Sequence, residues 1–366
     1  MSARRSFWLC LGLAIGTGLA NGTIGQQPDI EFRISPLQER YVLHEPVYVR
    51  ATVRNISADP VTVPGELDHA TQRSSYDVSQ SGEDWRTVSP GYVKEPMGDT
   101  VTLAPGEEFS YEQLLIWDAS SKESVFPAPG TWRLLGALHG FGRLYHVSSD
   151  PIEIPVDEPT EVDKQGSEVF AAPPVINLAM NFGEAVEAVS ELKRLVAEHA
   201  DSRFSDYAGL YLAQRMMEGF FDRKPDLGAA IAYLEPITKE PSRAPQIQPL
   251  VLEMLAQAYA RTGQARQAAE INRRLVQEHP GSSLARSAAA LVPVLERLAA
   301  EQVPETAVSP RRGKSPTAPT ASSAVPSAAP QGTASQAREA NTRVVPAAVM
   351  GLILVLAVAY WWRHRK

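Results

Sequence analysis

Two histidines flank a short glycine-containing turn, and their spacing is the one most suggestive of chemistry. His139 and His146 lie on either side of Gly140–Gly142. If the flanking segments form a hairpin, the two imidazoles approach each other across it. Neutral imidazole is a common ligand of Zn²⁺ and related ions. Histidine is more often an ordinary strand residue, and we favour that interpretation, so neither a metal ion nor a cofactor is expected.

Other residues offer little that could act as a catalytic group. The sequence contains no G-x-S-x-G elbow, no phosphate-binding loop and no H-E-x-x-H motif. His199 and His279 recur at the ends of two predicted helices, where a cationic side chain complements the helix dipole. The single cysteine, Cys10, lies in a segment that we expect to be removed, which excludes a disulfide framework. We therefore expect no catalytic residues and a protein that is not an enzyme.

Aromatic residues support the main alternative function. Trp85 lies in a long polar segment, Glu66–Pro96, that is difficult to assign to strands, and Trp117 and Trp132 follow later in the same β-rich region. Long loops of this kind are either functional or inserted. We favour an inserted loop and core or rim positions for the tryptophans. A carbohydrate-binding or enzymatic module in this region is kept as the alternative.

The elements that would position these residues begin with a β-rich domain over residues 28–156. Apolar residues alternate through 30–34 and 47–53, as is typical of half-buried strands. Further strands are predicted at 100–103, 109–117, 131–139, 143–148 and 152–155. About seven short strands separated by Pro–Gly turns predict a two-sheet sandwich. This domain is rich in acidic residues, within a chain of net charge −7, which argues against nucleic-acid binding.

A helical region follows an acidic, proline-containing segment at 157–178, which we expect to be a linker. Over 179–301 the apolar period changes to that of helices. The segment AVSELKRLVAEHADS, beginning at Ala188, matches AAEINRRLVQEHPGS, beginning at Ala268, 80 residues later. Such recurrence predicts stacked helical hairpins, about six helices in three pairs.

Two resemblances add to this description. EPVYVRATVRNIS, LAPGEEFSYE and FPAPGTWRLLGAL resemble strand and turn phrases of immunoglobulin-like or fibronectin-type modules. Residues 249–282 resemble a tetratricopeptide repeat (TPR), through Leu255, Ala256, Tyr259, Gly263, Ala268, Leu275 and Pro280. The TPR resemblance implies a concave face, formed by the first helix of each hairpin, that holds a peptide. It implies polar contacts from Glu253, Gln257 and Arg261, although these three residues are as readily explained as solvated side chains.

The two ends of the chain predict export and anchoring. Two arginines precede an apolar run within residues 1–20, as in a signal peptide. Residues 302–343 are rich in Ala, Pro, Ser and Thr and predict a disordered tether. Val344–Trp362 is uncharged over a length that matches a bilayer and predicts a transmembrane helix. An apolar segment before a basic tail also resembles a sorting signal cut by a transpeptidase, so a cleaved anchor stays open.

These patterns predict a multidomain chain, all-β and then all-α. An immunoglobulin-like sandwich would precede TPR-like hairpins, a disordered tether and one transmembrane helix. The basic residues of the tail at 363–366 predict that this tail lies in the cytoplasm. The folded domains would then lie in the periplasm or extracellular space. We expect a bacterial-type, membrane-anchored scaffold that binds protein partners outside the cytoplasmic membrane through the TPR-like array and the sandwich.

Overall fold

A computed structural model describes most of the chain between Asp29 and Gln302. The described residues are 29–91, 93, 100–140, 146–180, 186–219, 224–239 and 242–302. They form a β-strand part followed by a helical part, which confirms the predicted order of β then α. Two compact units divide between Ser205 and Asp206.

Both predicted ends of the chain lie outside the described residues. This applies to the signal peptide at 1–20, all but the first residue of the tether at 302–343, the span Val344–Trp362 and the tail at 363–366. Among the helices that are described, none is long and apolar enough to cross a membrane.

The N-terminal part contains thirteen strands within the described ranges. They are β1 (Ile30–Pro36), β2 (Tyr41–Val42), β3 (Val47–Asn55), β4 (Val61–Pro64), β5 (Ser74–Gln80), β6 (Arg86–Thr87), β7 (Thr100–Leu103), β8 (Glu108–Leu115), β9 (Trp117–Asp118), β10 (Glu123–Ser124), β11 (Gly130–His139), β12 (His146–Ser148) and β13 (Ile152–Asp157).

These strands form two main sheets and two short ribbons. The smaller sheet has the antiparallel order β1-β3-β8. The larger sheet has the order β2-β13-β11-β5-β6, with β12 also paired to β11, and only its β13–β2 pair is parallel. The ribbons are β4–β7 and β9–β10. Mostly antiparallel sheets agree with the alternating pattern of the sequence, in which one strand face is buried and the other wet.

One hydrophobic core joins the two sheets. In β1, Phe32 and Ile34 are buried while Arg33 between them is exposed. In the larger sheet, Leu134 and Leu138 of β11 belong to the same core. Truncating a large side chain in such a core typically costs about 2–5 kcal/mol. Face-to-face burial of these alternating residues is therefore a main source of stability for the β part.

Gly136 marks the closest approach between the two sheets. A Cβ at this position of β11 would lie 2.7 Å from Ile34 Cγ2 and 3.1 Å from Phe32 Cε1. Ordinary contacts of a Cβ atom begin near 3.4 Å. Glycine is therefore required here for the backbone of β11 to pack against the side chains of β1.

Asn55 holds the turn after β3 by hydrogen bonds from a fully buried side chain. Its Nδ2 donates to the carbonyl oxygens of Asp59 at 2.8 Å and Leu103 at 2.9 Å. Its Oδ1 accepts from the Ser57 backbone N–H at 2.9 Å and from Ser57 Oγ at 2.7 Å. The amide thus uses both its donors and its acceptor in one place, as a buried polar group must.

Within the segment 66–96, the described residues 66–91 are not an inserted loop, contrary to our expectation. Ser74–Gln80 forms β5 in the interior of the larger sheet, beside β11. Tyr76 and Val78 of β5 are fully buried. Only these two large residues of β5 face the core, and serines surround them, so the apolar signal of the strand is weak.

Eight α-helices follow within the described ranges. They are α1 (Lys164–Ala171), α2 (Pro173–Ala179), α3 (Val186–Glu198), α4 (Arg203–Glu218), α5 (Leu227–Lys239), α6 (Gln248–Arg261), α7 (Ala265–Glu278) and α8 (Ser283–Glu301). Six of them, α3 to α8, begin within the predicted helical range 179–301. In the second unit α5 packs on α6, α6 on α7, and α7 on α8.

The range 157–178 differs from the predicted linker, because it contains α1 and nearly all of α2. Small residues there permit close packing. A Cβ on Gly166 would lie only 2.5 Å from Phe204 Cβ, and Phe170 packs on Phe204 with ring centroids 5.3 Å apart. Small residues and prolines suggest a linker when read as composition, but here they allow helices to approach closely.

Arg203 ties the start of α4 to the turn before β3. Its Nη1 lies 3.3 Å from Glu45 Oε2 and its Nε lies 3.5 Å from Asp163 Oδ2. The Glu45 side chain is fully buried. Asp163 Oδ1 also accepts hydrogen bonds from Ser202 Oγ at 3.0 Å and from the Arg203 backbone N–H at 3.1 Å. Removing one partner of a buried ion pair is strongly destabilising, so this network helps hold Ser202 and Arg203 in place within the first unit.

Candidate functional site

Helices α4 and α6 lie side by side and run in the same direction. Near their starts, the side chains of Tyr207 and Gln246 are hydrogen-bonded. Near their ends, Arg261 Nη1 donates to the Met217 carbonyl oxygen at 3.0 Å. The N-terminal part of α4 thus contacts the N-terminal part of α6, and their C-terminal ends also meet, so the two helices are parallel neighbours. Helix α5, which connects them in the sequence, must run in the opposite direction.

Asp206 fixes the segment that leads into α6. Its Oδ2 accepts hydrogen bonds from Ser242 Oγ and from the Arg243 backbone N–H, both at 2.9 Å. Burial raises the pKa of the Asp206 carboxyl above its usual range, although these hydrogen bonds act in the opposite direction. We call this arrangement a carboxylate bracket: a buried Asp that accepts from a Ser hydroxyl and from the N–H of the following Arg. Asp163 forms the same bracket with Ser202 and Arg203 in the first unit.

The three predicted peptide contacts follow one another along α6 at four-residue intervals, so they share one side of the helix. Gln257 Nε2 donates to Glu253 Oε1 at 3.1 Å, and both residues are half-buried. Arg261 is exposed and reaches the end of α4 at Met217. The structure therefore aligns the three residues on one side of α6, with Arg261 in contact with α4, and each makes a hydrogen bond within the helical unit.

A second group of polar side chains lies at the end of α4. Gln214 Nε2 donates to Glu218 Oε1 at 3.3 Å, and Arg215 Nη1 lies 3.3 Å from Glu218 Oε2. All residues from Phe204 to Ala213 are buried, so polar side chains are accessible mainly on the last turns of α4. We define Gln214 and Glu218, together with Glu253, Gln257 and Arg261, as the α4–α6 seam.

Helix α5 is fastened behind α6 by a tyrosine–carboxylate contact. Tyr259 Oη donates to Glu235 Oε1 at 2.6 Å, and Lys239 Nζ donates to Glu235 Oε2 at 2.8 Å. Burial and then this hydrogen bond raise the pKa of Tyr259 to about 12. The same partners hold the pKa of Glu235 below its usual range, with Lys239 the larger cause. The contact fixes the orientation of α6 against α5.

A cleft of about 230 Å³ opens in the first unit beside the β9–β10 ribbon, with Trp117 among its lining residues. His44 and Lys122 also line it, with φ angles of 64° and 59°. Gln72 is the other non-glycine residue of the described part with positive φ. Such backbone strain is often found at binding sites. His44 Nδ1 lies 3.2 Å from Ser167 Oγ, and burial lowers the pKa of His44.

The other two tryptophans occupy different environments. Trp132 is buried, and its Nε1 donates to the Ala128 carbonyl oxygen at 2.9 Å. Trp85 is 39% exposed, with the Arg133 guanidinium carbon 4.9 Å from its ring centroid. Trp132 is thus a core residue, and a cation already lies against Trp85.

Two histidines predicted at helix ends lie there. His199 follows α3 and donates its backbone N–H to the Leu195 carbonyl oxygen at 3.0 Å, and His279 follows α7 and does the same to Leu275. Within the ranges that the structure covers, no group of three or more His, Cys, Asp or Glu side chains is placed to hold a metal ion.

Sequence reasoning missed the repeat that organises the helix starts. Ser202, Ser242 and Ser282 recur every 40 residues, half of the recognised interval. Ser202 Oγ accepts from the Phe204 N–H, Ser242 Oγ from the Ala244 N–H, and Ser282 Oγ from the Ala285 N–H. Ser202 and Ser282 directly precede α4 and α8 and act as N-caps, whereas Ser242 holds the segment that leads into α6. The shorter interval was present in the sequence and is the signal that could have located these starts.

No model of a known protein family matches the sequence, and no curated protein matches it. Some solved structures are similar to part of the chain. SoR45, a Northeast Structural Genomics Consortium target, is 10% identical over 36% of this chain and 89% of its own, with a TM-score of 0.24. Spo0M, a sporulation control protein from Bacillus subtilis, is 12% identical over 38% of this chain and 54% of its own, with a TM-score of 0.24. A beta-glucosidase from Listeria innocua is 20% identical over 36% of this chain and 16% of its own, with a TM-score of 0.22. Matches at this level assign the chain to no family.

Proposed function

We propose that this protein is a membrane-anchored scaffold that binds a protein partner along the α4–α6 seam. The parallel pairing of α4 and α6 supports the proposal most directly. In TPR-like arrays the first helices of successive hairpins stand side by side in this way, and an extended peptide lies across them. In this proposal the β part is an immunoglobulin-like sandwich that presents the helical unit.

An extended peptide fits the chemistry of the seam. Glu253 and Gln257 satisfy each other at 3.1 Å. A peptide N–H can donate to Glu253 and a peptide carbonyl can accept from Gln257, so one internal hydrogen bond is exchanged for two new ones. Arg261 can keep its bond to Met217 and hold the helices in alignment. The seam then binds backbone groups, and neighbouring side chains supply selectivity.

Photo-crosslinking in the native membrane tests the binding surface. A photoreactive amino acid replaces Gln257 in the full chain, and a matched chain carries it at the exposed Gln267 on α7. We expect a covalent adduct with one partner from position 257 only. The adduct should decrease when Glu253→Ala is added, because the seam loses its acceptor. Equal adducts from both positions, or none from position 257, would contradict the proposal.

The localisation part of the proposal rests on the sequence patterns at the two ends. The uncharged Val344–Trp362 segment would hold the chain in the cytoplasmic membrane, and residues 302–343 would tether the folded units outside it. Alkaline extraction of membranes tests this. The full chain should stay with the pellet, and a chain that ends before Val344 should be released. Release of both chains would remove the anchor from the proposal.

A second candidate function is carbohydrate binding or catalysis in the β part, favoured by the cleft at Trp117. An indole beside two residues with strained backbone offers a flat apolar surface on which a sugar ring can stack. A glycan array with the full chain would test it. Specific binding that is lost with Trp117→Ala but kept with Trp85→Ala would favour this function. Binding unaffected by Trp117→Ala would eliminate the cleft.

A further inference from the structure

His139 and His146 meet on one face of the larger sheet. They are directly opposite residues of the antiparallel pair β11–β12. Their Nδ1 atoms are 3.3 Å apart, and their ring centroids are 5.1 Å apart. His139 is half-buried and His146 is exposed.

The other nitrogen of each ring lies next to a serine hydroxyl. His139 Nε2 is 2.9 Å from Ser75 Oγ on β5, and His146 Nε2 is 3.0 Å from Ser148 Oγ on β12. Ligand histidines usually donate their second N–H to an oxygen atom, which selects the tautomer and orients the ring. Both rings therefore have an oxygen that can accept Nε2–H and leave Nδ1 to bind an ion.

The distances between the rings match shared ligation. Two imidazole nitrogens bound at about 2.0–2.1 Å to one tetrahedral ion are separated by about 3.3–3.4 Å. The corresponding ring centroids, each about 1.1 Å behind its nitrogen, are about 5.2 Å apart. The structure has 3.3 Å and 5.1 Å. Two histidines on neighbouring strands are thus already spaced as a bidentate pair.

We propose that His139 and His146 form a two-histidine site for a divalent transition-metal ion of the Zn²⁺ or Cu²⁺ class. Both Nδ1 atoms bind the ion, and water completes its coordination. When no ion is present, one Nδ1–H can donate to the other Nδ1. Binding of the ion then requires that ring to change tautomer, so that its proton lies on Nε2 and donates a hydrogen bond to a serine oxygen, and no net proton is released. Imidazole suits Zn²⁺ and Cu²⁺, whereas Mg²⁺ and Ca²⁺ prefer oxygen ligands.

Metal titration of the full chain, purified in detergent without a polyhistidine tag, tests the site. We expect the wild type to bind one Zn²⁺ per chain, with at least tenfold weaker binding in His139→Ala and in His146→Ala. His199→Ala removes a histidine elsewhere in the first unit and should leave the affinity unchanged. Ser75→Ala should weaken binding less than loss of a ligand, because it removes only the group that orients His139. Mg²⁺ should not compete.

Electron paramagnetic resonance with Cu²⁺ provides a readout that loss of folding cannot mimic. The wild-type spectrum should show coupling to two imidazole nitrogens, reduced to one in His146→Gln. Emission from the buried Trp132 reports whether each variant keeps its fold. The proposal is overturned if the wild type binds Zn²⁺ no more tightly than the double variant His139→Ala/His146→Ala. It is equally overturned if the copper spectrum is unchanged by both substitutions.

Discussion

Replacing Gly166 by alanine should destabilise the first unit, although glycine to alanine usually stabilises a helix. Gly166 is the third residue of α1, and its Cα faces Phe204. The added Cβ would lie 2.5 Å from Phe204 Cβ and 2.7 Å from both Cγ and Cδ2 of that ring. Phe204 Cβ is attached to the backbone, so rotation of the ring cannot relieve the closest contact.

The expected size of the effect follows from two opposing terms. Restoring an ordinary contact of 3.4 Å or more requires α1 and the start of α4 to separate by about 1 Å. Phe204 is fully buried and packs on Phe170, so this movement also loosens their contact. Overpacking of this kind costs about 3 kcal/mol. Alanine recovers about 1 kcal/mol through its higher helix propensity. We expect a net loss of about 2 kcal/mol in the free energy of unfolding.

Urea denaturation followed by tryptophan fluorescence measures this loss. Trp85, Trp117 and Trp132 belong to the first unit, and the sequence has no tryptophan from 206 to 302. Gly228→Ala in α5 is the matched control, because the nearest atom to its added Cβ is Asp226 Oδ1 at 3.6 Å. The control should leave this transition unchanged. A Gly166→Ala variant as stable as the wild type would refute the close-packing explanation of α1.

Three further predictions concern buried polar groups. Asn55→Ala should lower the free energy of unfolding by about 3 kcal/mol, measured in urea, because it deletes a buried amide with four hydrogen bonds. Burial raises the pKa of Asp118, but hydrogen bonds from Ser120 and Ser89 outweigh it and hold that pKa below its usual range. Asp118 therefore stabilises the fold at neutral pH and loses this effect in acid, so the melting temperatures of wild type and Asp118→Asn should converge as pH falls below about 4. The contribution of Asp206 to stability depends on pH in the opposite direction, because the pKa of its carboxyl is raised in the folded state. Its carboxylate opposes folding more as pH rises above about 4, so Asp206→Asn should gain thermal stability relative to wild type as the pH is raised from there.

Strong periodic patterns made part of this fold predictable. The alternation in β1 and β3 places their large apolar residues on one face, and the helical period from α3 to α8 is equally clear. Strand β5 was missed because only Tyr76 and Val78 mark its buried side. Helices α1 and α2 were not predicted, because small residues such as Gly166 give no apolar periodicity. Gly166 allows close packing against Phe204, and composition alone does not reveal that contact.

The candidate site was predictable only within one helix. Four-residue spacing is enough to align Glu253, Gln257 and Arg261 on α6. The contact of Arg261 with Met217 depends on how α6 packs against α4, which local sequence does not encode. The pairing of His139 with His146 was foreseen as a hairpin contact. The serines beside their outer nitrogens were not foreseen, because Ser75 comes from β5, far away in the sequence.

In the two carboxylate brackets, hydrogen bonds to an aspartate position the Ser–Arg segment that leads into a helix. The position of this segment therefore does not depend on the length of the chain before it. Ser242 and Arg243 are held by Asp206, whatever route the intervening residues take. The connection between α4 and α5 can therefore change in length without displacing the segment that leads into α6. An additional helical pair could join its neighbours through the same hydrogen bonds. It would need an aspartate near its start and a Ser–Arg dipeptide after its end. Duplication of such a pair could therefore lengthen the array by whole units without any new type of contact between them.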